Sequence, residues 1–282
     1  MVVQHNLQAA NTNRMLGANV KAVSKSTEKL SSGYAVNRAA DDAAGLSISE
    51  KMRNQIRGIN QSVKNAEDGV SLIQTAEGNM NEIHNILQRM GELATKAAND
   101  VNATEDRGAI QDEINQLAAE IDSISTKAAF NGTNLLNGSF SNKHLQVGAN
   151  SGENMAITIA TMNCAKLLGA KGSEILADPK GKNFTMSTHA AASSAMTKIS
   201  SAIKTVSAAR SALGAKQNRL EYTINNLENY SENLTSAESQ IRDTDMATEM
   251  TNYTKNNILQ QAAQSMLAQA NQSTQGVLSL LQ

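Results

Sequence analysis

The sequence predicts a mainly α chain, an elongated antiparallel helical rod of coiled-coil type with a small β segment in the middle of the chain. Three observations carry this. Apolar residues recur at alternating spacings of three and four along both halves, the seam of helices that wrap around one another. One proline and seven aromatic residues (four Tyr, three Phe, no Trp) stand among 282, so long helices meet no breaker and the rings that thicken a globular core are nearly missing. At about 1.5 Å per residue a helix over 56–101 would span roughly 69 Å, against a radius of gyration of about 19 Å for a compact chain of this length.

The chain divides into five stretches. Residues 1–45 form a terminal helix and connector. The first thirteen residues carry no charge beyond His5, and Leu16, Val20, Val23, Thr27 and Leu30 continue as a seam. Asp41 and Asp42 are adjacent, diverge on any regular element and have no acid/base partner in view, so helix capping near Ala39–Ala44 is their expected role.

Residues 46–130 hold the first rod helices. From Ile56 the seam runs Ile59, Val63, Ala66, Val70, Ile73, Glu77, Met80, His84, Leu87, Met90, Ala94, Ala97, Val101, apolar at twelve of fourteen positions where composition alone gives about 40%. Ile110, Ile114, Leu117, Ile121, Ile124 and Ala128 form a second seam. Gly58, Gly69, Gly78 and Gly91 each cost a helix interior about 1 kcal/mol relative to Ala and are expected sites of bends or breaks.

Residues 131–190 are the short β or irregular segment. The stretch 130–190 holds all three Phe, Pro179, Cys164 and seven glycines. Asn131-Gly132 and Asn137-Gly138 are turn dipeptides of hairpin type, Asp178-Pro179 reads as another turn, and Met155–Thr161 alternates with Met155, Ile157 and Ile159 on one face.

Residues 191–245 form the returning rod helix, with Ile199, Ile203, Val206, Leu213, Leu220, Ile224, Leu227, Leu234 and Ile241 in a seam interrupted by Arg210, Gln217, Ser231 and Glu238. Polar seam residues lower stability but fix register and partner number. Residues 246–282 form the second terminal helix. From Asn256 onward no residue is charged, while Ile258, Leu259, Met266, Leu267, Val277, Leu278, Leu280 and Leu281 alternate with Asn, Gln and Ser. Folding the chain at its middle pairs these uncharged ends, which are suited to packing against copies of themselves through Leu7, Leu16, Val20, Val23, Leu30 and the apolar set just given.

Charge and chemistry narrow the function classes. Twenty-five basic and twenty-six acidic residues leave a net charge of −1, no footprint for nucleic acid or an anionic membrane. The single Cys164 excludes an intramolecular disulfide and a Cys-based zinc site. The start lacks the pattern of a cleavable signal peptide, and no apolar run reaches 18 residues. Four scattered His and the absence of HExxH, GxSxG and GxGxxG predict neither enzyme activity, nor a metal site, nor a cofactor. Leu168–Ser173 (LGAKGS) superficially suggests a phosphate loop but lacks its GK[ST] and reads as a turn; His84 reads as an interface histidine with a local hydrogen bond. The twelve methionines sit mostly at helical spacing and read as core filler.

Leu30-Ser31-Ser32-Gly33, Asn37–Leu46 (NRAADDAAGL), Asn65–Ala94, Phe130-Asn131-Gly132, Gln146–Asn150 (QVGAN), Leu213–Arg219 (LGAKQNR), Leu234–Met250 and Ile258–Gln282 resemble the conserved regions of bacterial flagellin, in matching order. The resemblance implies a structural subunit that self-assembles into the flagellar filament for swimming motility, short of a variable outer domain. It implies export through the flagellum's type III apparatus by uncleaved N-terminal information, and a secreted, extracellular location. In the family the paired terminal helices form the filament's inner tube and are largely disordered in the free monomer. Implied partners are copies of the chain, an export chaperone at the C-terminal helix, filament cap and hook-junction proteins, and the host's flagellin-sensing Toll-like receptor. The positions matching the receptor segment are Arg89, Leu93 and Glu113, with Arg89 and Leu93 expected to face outward together and Leu87 inward with Met90. Gly91 stands where that segment usually has arginine, and Thr274 where the family commonly has proline.

Two other classes fit parts of the pattern. A cytoplasmic chemoreceptor-type signalling hairpin is also long and heptad-rich, but has a tight helical tip in place of a glycine-rich β-like middle. A membrane-inserting secreted protein would use the uncharged C-terminus, but such interfacial helices carry a strongly charged face.

Overall fold

A computed structural model describes residues 6–169 and 184–280, with side chains of the last helix described to residue 272. The elements run α1 (Leu7–Ser32), α2 (Ala43–Ala97), α3 (Thr104–Lys127), β1 (Ala129–Phe130), β2 (Thr133–Asn134), β3 (Lys143–Gln146), β4 (Asn154–Ile157), α4 (Cys164–Leu168), α5 (His189–Arg242) and α6 (Met246–Leu280). The mainly α reading with a small antiparallel β segment agrees with this order. The chain forms two units, Met1–Ile56 with Glu232–Gln282, and Arg57–Ser231.

The unit Arg57–Ser231 owns nearly all of the buried apolar residues. Ile73, Met80, Leu87, Met90, Ala94 and Ala97 of α2 join Ile114 and Ile121 of α3 and Ile199, Val206, Leu213 and Leu220 of α5 in one core. Off-seam residues Ala76, Ile83 and Leu93 are buried with them. The reason is that two helices cover α2 here: Arg89 reaches Glu113 of α3, and the Gly91 position faces Ile199 of α5. A second neighbour buries a second stripe.

Polar residues that interrupt the seams act as cross-helix pins. Arg210 of α5 meets Glu77 of α2 at 3.1 Å, so the break in one seam answers the break in the other. Ser231 Oγ donates to Asn60 Oδ1 at 3.0 Å. Gln217 instead bonds Glu221 of its own helix. None of the four glycines interrupts α2. At Gly69 an added Cβ would collide with the Leu145 side chain, and at Gly58 it would lie 2.9 Å from the Cβ of Ala149. These two glycines admit the β segment onto the helix.

The seam of α2 ends one step early. The helix stops at Ala97, and Val101 lies in the following turn, 88% exposed, instead of in the core. The turn is held by its own polar groups: Asn102 Nδ2 donates to Lys96 O, Arg107 Nη2 donates to Asn99 O and pairs with Asp100, and Asp106 accepts from the Ala103 amide.

The β segment is two small hairpins. In β1–β2 Phe130 pairs with Thr133 around Asn131-Gly132. Both turn residues have positive φ (47° and 76°), the type I′ geometry that Asn-Gly favours. In β3–β4 Lys143 pairs with Ile157 and Gln146 with Asn154. Met155, Ile157 and Ile159 are buried as their alternation requires. Asn137-Gly138 differs from expectation: it bends the chain without joining paired strands, and Leu136 and Phe140 on either side accept from Met162 N and Ile159 N. Gly169 ends α4 at φ 79°, the left-handed cap expected of a turn glycine. Residues 170–173 of the LGAKGS stretch and Asp178-Pro179 lie outside the described residues.

In the other unit, α1 and α6 pack antiparallel: Asn6 Nδ2 donates to Ala270 O at 2.9 Å, and Lys29 lies 4.0 Å from Glu249. Gly33 ends α1 with φ 77°, its amide bonding Lys29 O. Ala35 N donates to Arg242 O and Thr244 N to Gly33 O, so a short bridge ties the end of α1 to the junction before α6. Asp42 Oδ1 accepts from the amides of Ala44 and Gly45 at the start of α2. The capping expectation is met there, and Asp245 Oδ1 does the same for α6.

Candidate assembly and recognition surfaces

The α1–α6 pair has almost no core of its own. Of α1 only Ser26 is buried, and of α6 no residue up to 272. The half-buried stripe of α1 runs through Thr12, Leu16, Asn19, Val23, Ser26 and Leu30, and that of α6 through Asn256, Gln260, Ala263, Leu267 and Ala270. Leu16, Val23 and Leu30 thus lie in the seam as expected, but the positions between them are Asn19 and Ser26, not Val20 and Thr27. Both choices satisfy a three-four spacing from Leu16, and the antiparallel partner selects the polar one.

The consequence is an outward apolar face. Leu7 is 75% exposed, Ile258 60% and Met266 61%, with Val20, Leu259, Met15 and Met250 also exposed. Of the apolar residues expected to act together, Leu16, Val23, Leu30 and Leu267 lie between the two helices, whereas Leu7, Val20, Ile258, Leu259 and Met266 face away. The side chains of Val277, Leu278 and Leu280, and the whole of Leu281, lie outside the described residues. The helix runs without interruption through Thr274. Core filling describes Met80, Met90, Met155, Met162 and Met186 but not the methionines of the terminal helices.

A polar hub sits where the connectors meet. Arg242, 12% exposed at its side chain, pairs with Glu50 of α2 at 3.0 Å and lies over the Tyr34 ring. Ser49 Oγ donates to Glu238 Oε1 at 2.8 Å. Asp41 receives Lys25 at 2.8 Å and the amides of Asn37 and Arg38. Arg242 and Lys25 hold the Glu50 and Asp41 carboxyls below the usual range, and the Thr248 hydroxyl and amide, then the Ala247 amide, do so for Asp245. Sequence reasoning missed this hub, because its pairs are up to 192 residues apart. The run NRAADD and the polar break at Glu238 were its only local traces.

In the unit Arg57–Ser231, Arg89 is exposed and clamped. Its Nη2 and Nε donate to Glu113 Oε1 at 2.9 and 3.1 Å, and Nη1 to Glu92 at 3.1 Å. Glu113, then Glu92, raises the guanidinium's pKa and keeps it charged. Leu93 corrects the sequence reading: it is 3% exposed and belongs to the core, because α2 at this level is covered on two sides. Leu87 and Met90 are buried as expected. The exposed group is therefore Arg89, Glu92 and Glu113, a charged patch without an apolar centre.

His84 Nε2 contacts Gln88 Nε2 at 3.1 Å, the local partner expected of an interface histidine. Cys164 is fully buried, and burial, then the Asp122 charge, pushes its thiol up to about 12. Among the described residues no cluster of His, Cys, Asp and Glu could hold a metal ion. Nor is any helix there long and apolar enough to cross a membrane.

Comparison with known proteins points one way. Family models described as the bacterial flagellin N-terminal and C-terminal helical regions match residues 3–141 and 196–281. A flagellin of Halalkalibacterium halodurans is 50% identical over 281 residues, covering 100% of both chains. A flagellar filament 30.7 kDa core protein of Treponema maltophilum is 46% identical over 294 residues, again covering 100% of both. Among solved structures, a flagellar hook-associated protein of Vibrio parahaemolyticus has a TM-score of 0.58 at 15% identity, covering 72% of this chain and 100% of that one, a likeness of fold alone. These matches do not favour the signalling-hairpin alternative.

Proposed function

The chain belongs to the bacterial flagellin family, and on that premise we propose that it is a subunit that self-assembles into the extracellular flagellar filament and serves swimming motility. The outward apolar face of the α1–α6 pair carries this reading. A helix pair that places Asn19 and Ser26 between its members and leaves Leu7, Val20, Ile258 and Met266 outside gains little by standing alone. Burying that face against neighbouring copies stabilises by about 25 cal/mol per Å² of apolar surface. The absence of charge from Asn256 onward removes repulsion between copies. Seeded polymerisation followed by sedimentation and electron microscopy tests it: full-length protein forms filaments, and chains lacking residues 1–30 or 256–282 remain in the supernatant. Filaments from either truncated chain would sink the reading.

The partners implied by the family resemblance follow from the same proposal: the flagellar type III export apparatus, an export chaperone at the C-terminal helix, and the cap and hook-junction proteins. The host's flagellin-sensing Toll-like receptor is proposed to read the Arg89–Glu113 patch, with Leu93 acting only through the fold. Arg89→Ala is expected to weaken binding of monomer to the receptor ectodomain at least tenfold, about 1.4 kcal/mol. An unchanged Kd by surface plasmon resonance would remove Arg89 from the site.

A further inference from the structure

Within the unit Arg57–Ser231 one apolar side chain and one apolar pocket are both without an intramolecular explanation. Val101 is 88% exposed on a turn fixed by Arg107 and Asn102. The pocket, about 110 Å³, opens between Leu72 of α2, Phe130 of β1, Phe140 and Leu145 of β3. A cavity of roughly 150 Å³ accepts a benzene ring, so this one suits a smaller branched aliphatic group. The two cannot meet within one chain. The pocket is built against Gly69, Val101 follows the end of the same continuous helix at Ala97, and the 28 residues between Gly69 and Ala97 span about 42 Å.

Each rim carries an exposed charge of opposite sign, Glu105 near Val101 and Lys143 at the mouth of the pocket, while Asp100 is already paired with Arg107. Asp100 and Glu105 flank Val101, and both are exposed. Lys143 and His144, also exposed, stand at the mouth of the pocket, with Asp68 on its α2 side. We propose that Val101 of one subunit seats in the Leu72–Phe130–Phe140–Leu145 pocket of a neighbouring copy, with Glu105 toward that copy's Lys143. The proposal rests on the self-assembly reading above and adds a second contact, remote in sequence from the terminal helices. A knob on one copy and a socket on the next form a heterologous contact, which propagates into an open-ended array unless its rotation closes a ring.

The full-length chain tests it. Val101→Asp should raise the critical concentration for polymerisation at least tenfold while leaving the monomer's unfolding transition unmoved, since the side chain touches little in the monomer. Lys143→Glu should raise it in the same direction. Val101→Cys combined with His144→Cys should give a ladder of disulfide-linked oligomers when filaments are air-oxidised, with neither single variant doing so; the buried Cys164 does not compete. Polymerisation of Val101→Asp at the wild-type critical concentration, or filaments of the double cysteine variant without a ladder, would overturn the contact and leave self-assembly standing. Failure of the wild-type chain to polymerise would overturn both.

Discussion

Arg242 lies with its guanidinium carbon 4.5 Å from the centre of the Tyr34 ring, across the bridge that joins the end of α1 to the α5–α6 junction. The same guanidinium donates to Glu50 of α2, so one side chain joins the end of α1 and the start of α2 to a segment 192 residues beyond Glu50. Its planar fork is what allows stacking and pairing together, and a lysine has no such geometry.

Arg242→Ala is therefore expected to loosen this junction by about 1 kcal/mol through the lost cation–π contact alone. The Ala35 amide, which donates to Arg242 O, should exchange its hydrogen faster in Arg242→Ala and also in Arg242→Lys. Exchange unchanged in both variants would show that the backbone bridge holds without the side chain.

Acid should weaken the same region. Asp41, Glu50 and Asp245 all titrate below their ordinary values, because Lys25, Arg242 and the Thr248 hydroxyl, respectively, favour their ionised forms. For a carboxyl whose folded pKa is depressed, the stabilisation is complete above the unfolded pKa, near 4, and is lost as pH falls through the folded value. Hydrogen exchange at residues 35–45 and 245–249 should be flat from pH 7 to about 5, after correction for intrinsic rates, and should accelerate below about 4. Acceleration already complete at pH 6 would point to another group.

Two glycines of α2 should respond oppositely to the same substitution. Gly78 has no neighbour within 4 Å of an added Cβ, so Gly78→Ala should stabilise by up to about 1 kcal/mol, the helix-propensity difference. At Gly69 the Cβ would collide with Leu145 and lie 3.3 Å from Leu220 Cδ1, an overpacking cost of roughly 1–3 kcal/mol. Thermal unfolding of the two variants should shift Tm in opposite directions.

Those glycines also show where the sequence was legible and where it was not. The three-four spacing located α1, α2, α3 and α5, since burial of a stripe leaves a periodic trace in the sequence, whereas α6 was read from its uncharged alternation of apolar and polar residues. It could not distinguish Gly69 from Gly78, because what differs is a β-hairpin residue, Leu145, brought in from 76 positions away. It misplaced Leu93 for a related reason: one period describes one partner, and α2 has two at that level. Val101 continued the period past the point where Asn99 to Ala103 turn the chain. At α1 the choice between Val20 and Asn19 was undecidable from spacing, since both complete a heptad with Leu16 and Val23. The uncharged ends, which remove repulsion between copies, were visible in the sequence, but the outward apolar face was not, since it depends on which stripe the partner helix covers.

The apolar and polar positions of α6 should respond differently to an added charge. Leu267 lies half-buried in the stripe between α6 and α1, whereas Ile258 points away and Gln269 is exposed and already polar. Leu267→Asp puts a charge between the two helices and Ile258→Asp puts one on the face proposed to meet neighbouring copies; an unpaired charge in a packed interface costs several kcal/mol, repeated in every subunit. Both variants should raise the critical concentration for polymerisation at least tenfold, and Gln269→Asp should raise it less. Sedimentation of the three after identical seeding decides the matter. If Ile258→Asp polymerises like wild type while Leu267→Asp does not, the outward face is unused and only the α1–α6 pair matters. If Gln269→Asp is as damaging as both, charge anywhere on α6 is excluded, and the neighbouring copies surround the helix instead of meeting one side of it.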